Sequence, residues 1–107
     1  MERRPRRLSV QALELLGVML REPTAEYYGL DLGRRAGLMS GTVYPLLRRF
    51  EDAGWLESRT EDVDPSAAGR PARRLYRLTG EGERVARAEL ARLQRLMPTT
   101  GPAPGTA

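Results

Sequence analysis

The chain has 107 residues and a net charge of +4, with no cysteine and no histidine. That length supports one domain with a modest core, and the missing residues remove disulfides, thiolate chemistry, the commonest general base and the commonest metal ligand. No apolar run approaches the roughly 20 residues that cross a bilayer, so the expectation is a soluble, cytoplasmic protein, not an enzyme, with no cofactor, metal or membrane partner. All 18 basic residues are arginine, a bias that codon usage in a GC-rich genome explains. Their placement is more informative. Residues 1–7 hold four arginines and one glutamate; further on, Glu57, Glu61, Asp62 and Asp64 face only Arg59 in their stretch, and Arg70, Arg73, Arg74 and Arg77 follow with no acid among them.

Residues 1–7 show no apolar periodicity and read as a disordered basic arm. Ser9 is placed to cap a first helix over 10–21, with Leu8 and Leu13 as a hydrophobic staple. Leu13, Leu16 and Leu20 recur at helical spacing, and Leu15, Val18 and Met19 widen the apolar face enough to suggest burial on two sides, one of them a second subunit. Pro23 ends this helix. Thr24 starts a second that runs to Ala36, and Gly37 stops it. A tight turn leads to Ser40, the expected cap of a third helix that ends at Gly54. Pro45 lies deep enough to lose a helical hydrogen bond to Gly41, so a loosened first turn is expected.

Residues 55–60 and 73–78 read as two antiparallel strands joined by a mobile loop, 61–72. Thr79 caps a fourth helix over 80–97, about 27 Å long at ~1.5 Å per residue. Ala86, Leu90, Leu93 and Met97 form a short apolar seam on it. Residues 98–107 are a Pro/Gly/Thr tail that is expected to be disordered. The expected fold is mainly α with a two-stranded β wing: a winged helix-turn-helix domain over 8–79 and a C-terminal dimerisation helix over 80–97.

Two separated blocks carry a family resemblance. Ser40-Gly41-Thr42-Val43-Tyr44-Pro45-Leu46-Leu47-Arg48-Arg49 is followed by Gly54-Trp55-Leu56, and the second block is Gly69-Arg70-Pro71-Ala72-Arg73-Arg74-Leu75-Tyr76-Arg77-Leu78-Thr79. Together they resemble the PadR family of bacterial transcriptional regulators, in its compact branch, over about residues 10–90. The resemblance implies a homodimer that binds double-stranded DNA, usually as a repressor, and leaves room for an unidentified small-molecule effector. Some relatives hold flat aromatic drugs against a tryptophan of the last helix; this last helix has no aromatic residue, so that site does not carry over.

On this reading Ser40, Gly41, Thr42 and Tyr44 reach base edges and phosphates from the start of the third helix. Arg48 and Arg49 hold phosphate further along it. Arg70, Arg73 and Arg74 belong to the wing, touching phosphate or the minor groove, and Arg70 is favoured because Gly69 and Pro71 shape its loop. Ala86, Leu90, Leu93 and Met97 are the dimerisation residues. Trp55 and Tyr76 are assigned to the core. The alternative is a winged-helix protein–protein adaptor that no longer binds DNA, supported by the acidic segment 61–64.

Overall fold

A computed structural model of the protein describes residues 8–97; the expected arm (1–7) and tail (98–107) lie outside the described residues. The elements run α1 (Val10–Leu20), β1 (Tyr27–Tyr28), α2 (Gly29–Ala36), α3 (Ser40–Asp52), β2 (Leu56–Thr60), α4 (Pro65–Ala68), β3 (Arg74–Leu78) and α5 (Gly80–Leu96). This is a mainly helical winged-helix fold. The wing strands β2 and β3 pair antiparallel as expected, from Leu56 opposite Leu78 to Thr60 opposite Arg74. A third strand, β1, joins the other side of β3, giving the order β1-β3-β2.

That third strand corrects the reading of residues 24–36 as one helix. Tyr27 pairs with Tyr76 and Tyr28 with Leu75, so α2 starts at Gly29 with Tyr28 as its extended N-cap residue. Two adjacent aromatics favour a pleated, half-buried setting, and a sheet edge supplied from far along the chain satisfies them. The Tyr27 hydroxyl also donates to the Glu22 carbonyl at 3.1 Å, which ties the strand to the end of α1.

α1 is the centre of the core. Leu15, Leu16 and Met19 are fully buried, and Ala12, Leu13 and Val18 nearly so. Its wide apolar face packs against both α2 and α5, so this chain alone accounts for the burial that suggested a second subunit. The Ser9 cap forms as expected, its hydroxyl accepting from the Ala12 amide at 3.0 Å.

α2 and α3 are joined through Gly37, whose φ of 73° is left-handed and therefore favours glycine. Leu32 of α2 and Val43, Leu46, Leu47 and Phe50 of α3 are buried in the same core. Ser40 is not the cap of α3. Met39 is, with no side-chain hydrogen bond, and Ser40 is the first helical residue. Pro45 sits inside an otherwise continuous helix. A side chain at Gly41 would meet nothing within 4 Å, so crowding by Pro45 is not why glycine stands there.

The loop expected over 61–72 contains the helical turn α4, which Asp64 caps by accepting from the Ser66 amide at 3.0 Å. At the start of α5, the Thr79 hydroxyl accepts from the Gly82 amide at 2.9 Å and donates to the Gly54 carbonyl at 2.7 Å. One side chain thus caps α5 and fixes it to the end of α3. Gly82 is pressed so closely on Trp55 that an added Cβ would lie 2.0 Å from the Trp55 carbonyl oxygen.

Candidate nucleic-acid interface

Helical periodicity divides α3 cleanly. Its inner face is Val43, Leu46, Leu47 and Phe50, all buried; Ser40, Gly41, Tyr44, Arg48 and Arg49 are exposed, and Thr42 is half-buried. The outer face therefore presents a hydroxyl-rich first turn followed by two arginines. The open space around Gly41 lets another backbone approach this turn closely.

Tyr44 turns back toward α2. Its ring lies against Gly29, where an added Cβ would come within 2.7 Å of the ring edge. Together with Tyr28, Leu30, Arg34, Arg73 and Tyr76 it lines an open cavity of about 500 Å³ between α2, α3 and the wing. A neighbouring depression adds Arg48, Glu51 and Asp52 around the same Tyr44, Arg74 and Tyr76. Tyr44 and Arg48 of α3 and Arg73 and Arg74 of the wing thus meet on one concave surface; Ser40 lines a separate depression against α2, and Gly41, Thr42 and Arg49 line neither. Tyr28 and Arg34 are part of that surface although nothing in the sequence assigns them to it, and Tyr76, expected in the core, reaches it as well. Only the sheet brings Tyr28 and Tyr76 there, and no local pattern signals it.

Of the wing arginines expected at the interface, Arg73 lies over the Tyr28 ring, 5.2 Å from its centroid. Arg74 donates to the Ser58 hydroxyl at 3.0 Å, and that hydroxyl donates to the Glu51 carboxylate at 2.6 Å. This relay fixes the wing to the second half of α3. Arg70 has a different setting. Its guanidinium is ion-paired with Glu61 and donates to the Pro71 carbonyl at 3.1 Å.

The pairing pattern of the other arginines sharpens the picture. Arg34 and Arg35 pair with Asp31, Arg59 with Glu26, Arg77 with Glu57, Arg84 with Glu81, Arg87 with Glu83 and Arg92 with Glu89. Among the described residues, the arginines without such a carboxylate are Arg21, Arg48, Arg49, Arg73, Arg74 and Arg95. Arg48, Arg73 and Arg74 line the concave surface, and Arg49 is exposed next to Arg48 on α3. Among the described residues these arginines make no direct ion pair, whereas most of the others do, although Asp31, Glu51 and Asp52 also line the surface.

The seam residues of α5 separate along the helix. Ala86 is fully buried in the protomer's own core, which corrects its assignment to a partner-facing seam: α5 lies on α1 at this level, and a small side chain lets the two approach. Leu90 and Leu93 are half-buried, while Leu96 and Met97 are 67% and 58% exposed. Trp55 stacks obliquely on Phe50, with ring centroids 5.6 Å apart, and Tyr76 is buried, so both are core residues as expected. Among the described residues no group of acids and imidazoles or thiols could hold a metal ion, and no helix is long and apolar enough to cross a membrane.

Comparison with solved structures returns the same architecture. The PcaV transcriptional regulator from Streptomyces coelicolor, in complex with its natural ligand, superposes with a TM-score of 0.66 at 28% identity, over 83% of this chain and 57% of that one. A PadR-like transcription factor from Bacteroides fragilis matches with a TM-score of 0.63 at 27% identity, over 79% of this chain and 81% of that one. Reduced AbfR bound to DNA shares the fold, with a TM-score of 0.68 at 20% identity, over 87% of this chain and 62% of that one. The chain spans 57% to 62% of the length of PcaV and AbfR. Curated proteins offer no match. The family model of the PadR-like transcriptional regulators matches residues 15–88. That span takes in α2 and α3, both wing strands and the arginines that flank the concave surface, and on it the chain belongs to the PadR-like family of transcriptional regulators.

Proposed function

We propose that the protein is a sequence-specific, homodimeric DNA-binding repressor acting on a pseudo-palindromic operator. The observation that carries this reading is the set of arginines without carboxylate partners among the described residues, Arg48 and Arg49 on the outer face of α3 and Arg73 and Arg74 on the wing, three of which line the surface around Tyr44 and Tyr76. Phosphate contacts from these side chains set affinity and register, while Thr42 and its neighbours meet base edges. Thr42 has a hydroxyl for hydrogen bonding and a methyl for the thymine methyl group.

Dimerisation places two such helices about one DNA turn, roughly 34 Å, apart. The exposed end of α5, with Leu93, Leu96 and Met97, supports a partner contact there. A small-molecule effector would act by changing the angle between protomers and so the spacing of the two reading heads. PcaV, crystallised with its natural ligand, is a precedent for a fold of this kind binding one. The adaptor reading loses ground because Glu61, the first residue of its acidic segment, is buried and turned inward.

Recovery and sequencing of genomic fragments bound by the purified protein tests the proposal. A shared inverted repeat is the expected result, with sedimentation showing a dimer. Retention of no fragment above background, at any salt concentration, would favour the adaptor.

A further inference from the structure

Glu61 is the buried charged residue of the described chain, 8% exposed, and it stands where the outbound wing strand ends. Its two carboxylate oxygens gather three segments. Oε2 accepts from the Tyr28 hydroxyl of β1 at 2.9 Å. Oε1 accepts from the Arg73 backbone amide at 2.9 Å, just before the return strand, and from the Arg70 guanidinium in the wing loop. The Glu61 backbone amide donates to the Arg73 carbonyl at 2.7 Å, so Glu61 and Arg73 close on each other through both side chain and main chain. A buried carboxylate needs such partners, since an unpaired charge out of water is costly.

These bonds bear directly on DNA binding. The Arg70 side chain is only 31% exposed and its positive charge lies against a carboxylate. Arg73, whose backbone is fixed by the same group, keeps its own guanidinium over Tyr28 with no carboxylate partner. We propose that Glu61 is a positioning residue that locks the wing loop to β1 and withholds Arg70 from DNA, leaving Arg73 and Arg74 to make the wing's contacts. This deepens the DNA-binding reading and rests on it. The device favours specificity: a wing with one fewer free cation on a mobile loop gains less from random phosphate contacts.

The test uses the full chain and a duplex of arbitrary sequence, with affinity followed against salt concentration, alongside hydrogen exchange of residues 62–73 in the DNA-free protein. Glu61→Gln keeps the shape and removes the charge. It should speed exchange in the wing loop and steepen the log–log salt slope by about 0.9 for each arginine released. Arg70→Gln alone should leave the wild-type slope unchanged, because Arg70 contributes no phosphate contact there. The double variant should return the slope to the wild-type value. A purely structural role for Glu61 would loosen the wing without steepening the slope, and that result would overturn withholding. A shallower slope in Arg70→Gln would overturn it too, and this variant decides the matter if Glu61→Gln does not fold. Unchanged exchange in Glu61→Gln would remove the lock. If the wild-type protein binds no duplex at low salt, the DNA reading fails and withholding falls with it, while the exchange measurement still decides the lock.

Discussion

Helix α3 and the wing reach the same concave surface by different physical routes. In α3, the outer face follows from local periodicity once Val43, Leu46, Leu47 and Phe50 turn into the core. In the wing, Arg70, Arg73 and Arg74 are near neighbours in sequence yet have three different settings: one paired with Glu61, one over Tyr28, one on Ser58. A helix sorts its side chains by spacing alone. A wing sorts them by what the rest of the fold places beside each one.

The largest effect that would probe this difference is on the mounting of α3. Leu47 has no exposed surface, and Leu47→Ala should lower stability by about 3 kcal/mol, read from chemical denaturation. A loss near zero would mean that the helix is not fixed by its apolar face. Next comes the reading edge. Thr42→Ala should weaken binding to the preferred operator by roughly 1–2 kcal/mol while leaving the salt slope and the binding of arbitrary duplex unchanged. Equal weakening on both kinds of DNA would move Thr42 from reading bases to holding phosphate.

A smaller effect distinguishes the arginines of the two regions that are proposed to hold phosphate. Arg48→Ala in α3 and Arg73→Ala in the wing should each reduce the magnitude of the salt slope by about 0.9 for every phosphate that the arginine neutralises. If only the helix variant does so, the wing does not touch the backbone and the two regions differ in function as well as in construction.

The smallest expected effect is on acid stability. The Arg70 guanidinium, helped by the Arg73 amide and the Tyr28 hydroxyl, holds the Glu61 carboxyl down at about 2, against an ordinary 4.5. Because the folded value is depressed, the stability it contributes is whole above the unfolded value and is lost as pH falls through the folded one. Wild type and Glu61→Gln should therefore converge in urea midpoint as pH falls from 4.5 toward 2. A gap independent of pH across that window would show that the charge of Glu61 is not what holds the wing.

Legibility in the sequence followed the range of the interactions involved. The Ser9 and Thr79 caps, the left-handed Gly37 and the apolar face of α3 all depend on residues within a few positions, and each could be placed from the sequence. The start of α2 could not. Tyr27 and Tyr28 form a strand only because β3 lies beside them, and without that partner Thr24 is the natural place to begin a helix. Glu61 was hidden for a similar reason. Among Glu57, Asp62 and Asp64 it reads as one more solvated acid, and the groups that bury it come from β1 and from the far side of the wing loop.

The sequence by itself determined the order of the longer helices and the two wing strands, the division of α3 into a core face and an outer face, and membership of a regulator family, because periodicity and paired motifs are local properties. Tertiary structure decided which arginines remain available. It gave Arg70 to Glu61, left Arg48, Arg49, Arg73 and Arg74 without carboxylate partners among the described residues, and took Ala86 into the core by laying α5 on α1. Whether a charge is free depends on what stands within a few ångströms of it, and those neighbours come from distant parts of the chain.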